Sequence, residues 1–268
     1  MFEVVLSTGS YAFWLIVISL LCLLLERIRP WRRNQRLWRR QFGQDLFFLV
    51  FNGHFFPILL ASVAAYLLRG LPDEGHGLLG GAPWAVQFLV VFLAKDFLEW
   101  CVHRLLHAAP WLWQFHKLHH SIEELDWIGN FRFHWMEIVV YKSLTYLPLL
   151  LLEVPGDVIL PIAVVSTLIG DLNHANLFIS WGPLRYVLNS PRMHVWHHDI
   201  EKHLRHGQNY AVVFSIWDWV FRTVYWPDDR KQPEQLGFTR QRFFPTGLLA
   251  RLVYPFWKKT GPRPGVTS

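Results

Sequence analysis

Charge is scarce in this sequence. Aspartate, glutamate, lysine and arginine make up 17% of its 268 residues, against about 25% in soluble domains. Cysteine is scarcer still. Cys22 and Cys101 each sit in an apolar stretch, which excludes a disulfide framework and a C-x-x-C metal or redox motif. Internal repeats and low-complexity tracts are missing. The amino terminus shows neither the basic n-region nor the A-x-A site of a cleavable signal. No glutamate is followed by histidine three residues on, which excludes the paired Glu-x-x-His sites of soluble di-metal bundles. No strand-turn-helix unit of the dinucleotide-binding kind is expected either.

What fills the chain is apolar and aromatic: 52% hydrophobic residues and fifteen tryptophans. Stretches of about 20 apolar residues suffice to cross a bilayer. Tyr11 to Leu25, Asp45 to Leu68 and Trp84 to about His107 read as three spans, and Trp135 to Val154 with Val158 to Leu177 as a helical hairpin. The net charge is +6 and unevenly placed. ERIRPWRRNQRLWRR, after the first span, carries Arg27, Arg29, Arg32, Arg33, Arg36, Arg39 and Arg40. Between two apolar spans and mixed with Trp31 and Trp38, this run fits the cytoplasmic membrane surface rather than a nucleic acid. The link after the second span carries Asp73 and Glu74 and is expected on the opposite side. The expectation is one all-α unit over residues 1–268: a membrane bundle of four to five helices under a cytosolic helical cap. RQRFFPTGLLARLVYPFWKK would be an interfacial anchor.

Histidine is abundant, with fourteen. His103 and His107 are spaced H-x-x-x-H. His116, His119 and His120 are spaced H-x-x-H-H, as are His194, His197 and His198. On a helix such positions share a face, and neutral imidazole is the commonest metal ligand. The span order delivers every box to one membrane face. His174, in DLNHANL, makes nine candidate ligands. One tetrahedral zinc takes four at most, so two metals are the economical reading. Imidazole ligation suits iron, zinc, copper or nickel. Asp96 shares a helix face with His103 and His107, within about 40°, and is expected to orient a ligand or a nearby water. Ser121 and Glu124 read as a capping box; Ser190 caps a helix that Pro191 opens. His54, His76, His203 and His206 are expected to lie outside the site. His134 reads equally as ligand or structural residue.

HRLLH, FHKLHHS and SPRMHVWHH, with HANL before the last box and NYA…WDWVFRT after it, resemble the fatty acid hydroxylase / sterol desaturase superfamily. The likeness runs from about Asp96 to Tyr225. It implies a non-haem di-iron centre that uses O2 and two electrons to hydroxylate or desaturate a lipid. The ligands it implies are His103, His107, His116, His119, His120, His194, His197 and His198, with His174 as a ninth. Electrons would come from a ferredoxin or a b-type cytochrome with its reductase. The sequence departs from the usual pattern at Ala211, at Arg222, and at Trp135 after His134. A histidine-lined metal transporter and a zinc hydrolase using Glu123, Asp126 or Asp199 are the competing classes. The first predicts polar residues through the depth of several spans, the second an open site with fewer ligands and a general base.

Overall fold

The computed structural model describes residues 7–67, 79, 81–150, 156–205, 207–227 and 231–256. His76 and His206 lie outside them. Among the described residues the chain is all-helical, with three isolated β-bridges and no longer strand. The spacing G-x-G-x-x-G does occur once, at GHGLLG from Gly75 to Gly80, but in a link between two long helices and mostly outside the described residues.

Ser10 caps α1 (Tyr11–Ile28) by accepting from the Ala12 amide. Next come α2 (Phe42–Val50), a π-turn (Phe51–Phe55) and α3 (Phe56–Leu67). They continue one another, so the second expected span is one helical stretch that carries a π-turn. The π-turn turns Asn52 inward, where its amide donates to the Phe131 and Phe133 carbonyls. α4 (Trp84–Ala108), α5 (Pro110–His120), α6 (Trp135–Leu150), α7 (Gly156–His174), α8 (Pro191–His197), α9 (Ile216–Val220) and α10 (Leu248–Val253) follow. Among the described residues, three stretches are long and apolar enough to cross a membrane: Tyr11–Ile28, Phe42–Leu60 and Gly156–His174.

Pro110 occupies the first turn of α5, and Ser190 caps α8 with Pro191 at its first position, as the sequence implies. The capping box at Ser121 does not form. The Ser121 hydroxyl instead donates to the Leu118 carbonyl and closes α5, and the next helical turn, 3-10 in geometry, waits until Trp127–Phe131.

The arginine-rich loop is fastened to the segment that follows the second histidine box. Arg32 and Gln35 both donate to the Leu125 carbonyl. Arg39 holds Asp126 at 2.8 Å and Asp45 at 2.6 Å, and Asp45 also accepts from Arg132 at 2.6 Å. All four side chains are buried. Glu26, also buried, accepts from the Trp127 and Asn176 amides. Thus the end of α1, the basic loop, the second box and the exit of α7 meet at one end of the bundle. Removing one member of a buried ion network leaves its partners' charge uncompensated. Asp45→Ala should lower unfolding stability in detergent by about 3–5 kcal/mol, whereas Arg36→Ala, at an exposed position, should stay within about 0.5 kcal/mol.

Candidate metal centre

The nine histidines assemble into two groups. His103, His107, His116, His120 and His197 form one; His119, His174, His194 and His198 form the other. Within each group the ligand nitrogens lie within 4.8 Å of one another. Each H-x-x-H-H box is divided between them. In α5, His116 and His120 join the first group and His119 the second; at the last box, His194 and His198 join the second and His197 the first. Helix geometry explains the division. Residues i and i+4 are about 40° apart around the axis, but i+3 and i+4 about 100°, so the i, i+4 pair converges while the third ring diverges to the neighbouring group.

Several rings have their tautomer set by what they touch. His103, His174 and His197 each place Nδ1 at 2.8 Å from a backbone carbonyl, of Tyr210, Gly170 and Gln208 respectively. A carbonyl only accepts, so Nδ1 carries the proton and Nε2 presents its lone pair. Glu137 does the same for His116, at 2.6 Å. Burial, then the neighbouring imidazoles, pushes His119, His120, His194 and His198 well below their ordinary pKa. They are neutral at pH 7, the form that ligates metals.

These donors fit a cation. Nε2 of His120 faces Nε2 of His197 at 3.1 Å; Nε2 of His174 faces those of His119 and His194 at 3.2 Å, and His198 faces His194 at 3.2 Å. Two nitrogens bound tetrahedrally to one ion at 2.0–2.1 Å stand roughly 3.3 Å apart. Nε2 of His103, His107 and His116 are buried without a partner, at a cost of about 1–3 kcal/mol each if left so. Five imidazoles exceed the four of a structural zinc.

Asp96 lands elsewhere than expected. Its carboxylate accepts from the Val213 and Phe214 amides at 2.9 and 3.0 Å and from the Trp217 indole at 2.8 Å. It supports the segment after Tyr210 and bonds to none of the nine imidazoles. His134 is structural: Nδ1 accepts from the Met136 amide, and Nε2 donates to the Leu252 carbonyl in α10. His203 pairs with Asp199 at 2.7 Å and stacks on Tyr225. Glu137 is the contributor that sequence reasoning missed. No spacing signalled it, although it stands three residues after His134 at the head of α6. The carboxylates offered for a zinc hydrolase are engaged elsewhere: Asp126 with Arg39, Asp199 with His203, Glu123 with Gln241. A cleft of about 510 Å³ reaches His107, His120 and His197 past Trp113, Lys117 and Lys202.

An all-helical chain with membrane-length helices and two buried all-histidine groups belongs to the class of membrane-associated histidine-box proteins. The family is more specific. Residues 88–223 match the fatty acid hydroxylase family model, and the chain is a member of that family and an oxidoreductase. It is 31% identical to an ornithine lipid hydroxylase of Rhizobium tropici, covering 94% of this chain and 78% of that protein. It is 27% identical to an alkylglycerol monooxygenase of Homo sapiens, over 69% of this chain and 40% of that one. A very-long-chain aldehyde decarbonylase of Oryza sativa subsp. japonica is 25% identical, over 66% of this chain and 58% of its own length. No solved structure matches.

Glu137 predicts a measurable effect. Glu137→Gln keeps the shape but loses the charge that holds His116 Nδ1–H, so metal affinity should fall about 10–100-fold. Metal retained after dialysis against graded chelator is the readout; Glu137→Gln retaining metal like the parent would remove Glu137 from this role.

Proposed function

We propose that this chain is a membrane-bound non-haem di-iron oxygenase that hydroxylates a lipid. The observation that carries the reading is the gathering of nine histidines, and no carboxylate, into two buried groups. His103, His107, His116, His120 and His197 would hold one iron, and His119, His174, His194 and His198 the other. When bound, the pair supplies reduction of O2 with two external electrons, so that R–H, O2, two electrons and two protons give R–OH and water.

The protein's part is to arrange. Carbonyls of Tyr210, Gly170 and Gln208 and the Glu137 carboxylate fix four rings in the tautomer that ligates. Burial keeps the rings neutral. The cleft beside Trp113 leaves one side of the five-histidine group accessible to small molecules. Similarity to an ornithine lipid hydroxylase and an alkylglycerol monooxygenase favours oxygen insertion into an amphipathic lipid over desaturation. A ferredoxin or b-type cytochrome with its reductase would supply the electrons. The transporter reading loses ground because the histidines close into two groups at one end of the bundle instead of lining a path.

The same reading makes α4 a further span, with α6 completing a bundle of four to five. α4 is 25 residues long and apolar except for Lys95, Asp96, Glu99, Arg104 and a few neutral polar side chains. The first three are buried, with Lys95 paired to Glu99 at 2.8 Å, while Trp84, Val86, Leu89 and Val90 face outward. The arginine loop beside the second box supports, through the positive-inside rule, a cytoplasmic side for the histidine groups.

Membranes containing the protein, incubated under 18O2 with reductant, should yield lipid carrying 18O. His197→Ala and His174→Ala should abolish it, while His54→Ala and His203→Ala should keep most of it. Full activity in His197→Ala would sink the reading.

A further inference from the structure

α4 packs against residues 209–225, a segment whose apolar and aromatic sequence, interrupted by Asp218 and Arg222, reads as cytosolic packing or an interfacial helix. Phe92 meets Phe214 at 4.9 Å, Phe97 meets Trp217 at 4.9 Å, and Trp100 meets Phe221 at 4.6 Å. Arg104, the exposed cation nearest this stack on α4, covers the Trp100 ring at 5.4 Å. At 1.5 Å per residue, Trp100 lies about 6 Å, Asp96 about 12 Å and Phe92 about 18 Å along α4 from Arg104. The 3-10 turn Gly182–Tyr186 joins the same surface: the Arg185 carbonyl accepts from the Ser215 hydroxyl and the Trp219 indole, and Tyr186 packs on Trp219.

This surface is closed inward and, apart from the half-buried Arg185 guanidinium laid on the Tyr186 and Trp226 rings, apolar outward. Leu184, Tyr186, Val187, Val220 and Phe221 are exposed, Val220 at 62%, an uncommon run of apolar side chains for a surface in water. The backbone behind them, which is not helical, is paired almost group by group with buried side chains. Asp218 accepts from the Tyr210 and Ala211 amides, and Asp96 from those of Val213 and Phe214. Asn189 donates to the Ala211 carbonyl and Asn173 to that of Val212. Irregular backbone is tolerated at membrane depth only where protein satisfies it. Tyr210, Ala211 and Val213 are themselves buried, so this backbone is closed off within the protein and only the apolar side chains in front of it face outward.

We propose that residues 182–187 and 214–221 form a wedge that enters the acyl region of the bilayer beside α4. Its partner is the hydrocarbon of the membrane, with Arg104 at headgroup level. The proposal rests on α4 being a span. Asp96 then anchors the irregular segment that leads into the wedge, through the Val213 and Phe214 amides. Tyr210 and Gln208, which hold His103 and His197 through their carbonyls, lie just before the wedge. Its seating therefore sets the height of the five-histidine group at the membrane surface.

Single cysteines test this in a protein carrying Cys22→Ala and Cys101→Ala. Val220→Cys, Leu89→Cys and Glu201→Cys are each labelled with a charged maleimide in open membrane fragments, which expose both faces. Denaturation in SDS then confirms that every thiol is reactive. Glu201→Cys, at an exposed position, should label readily, and Val220→Cys and Leu89→Cys about tenfold or more slowly, because the reagent cannot enter hydrocarbon. Fast labelling of Val220→Cys with Leu89→Cys shielded would overturn the wedge and leave α4 as a span. Fast labelling of both would overturn the wedge together with the span on which it rests.

Discussion

Nine imidazoles gathered into two groups, four of them (His103, His116, His174 and His197) with Nε2 lone pairs turned to their neighbours, are the constraint on which this structure depends. Nitrogens that face at 3.1–3.2 Å, away from water, repel unless a proton or a cation lies between them. Much of the remaining architecture holds that arrangement in place. α4, α5, α7 and α8 each contribute ligand candidates, and three of those helices come from distant parts of the chain. The carbonyls of Tyr210, Gly170 and Gln208 turn rings that would otherwise choose either tautomer. Around this the ion network of Arg39, Asp45, Asp126 and Arg132 ties the first two helices to the loop after the second box. The assembly is thus cross-braced at the end where the rings converge.

The histidine spacings made the candidate site readable before any coordinates, because a helix converts i, i+3 and i+4 into neighbours. What they could not say is which ring joins which group. That depends on how α5 and α8 are rotated against each other, a property of packing and not of either segment alone. Glu137 was invisible for a similar reason: its partner His116 is on another helix. Asp96 was misread because angular position on α4 was taken for proximity to the histidines. Its carboxylate is drawn instead to unpaired amides at residues 213 and 214, a tertiary demand. His134 was ambiguous in sequence and is resolved by the Leu252 carbonyl, which belongs to a tail more than a hundred residues away.

Apolar length gave the membrane helices in outline. The second, expected from Asp45 to Leu68, runs as a continuous helical stretch with a π-turn at Phe51–Phe55 inside it. Charge count alone sets α4 aside, although Lys95, Asp96 and Glu99 are all turned inward. Composition registers how many charges a helix holds, and only packing registers where they point. The same distinction applies to the arginine loop, in which Arg39 is buried in the ion network while Arg27, Arg29, Arg33, Arg36 and Arg40 stay exposed.

The claim that unites these features is that the two histidine groups each bind one metal ion. Metal quantitation against amino-acid analysis, on protein purified anaerobically, tests it most directly. Two metal ions per chain, predominantly iron, is the predicted result. One ion per chain, or none in protein that remains folded, would contradict it.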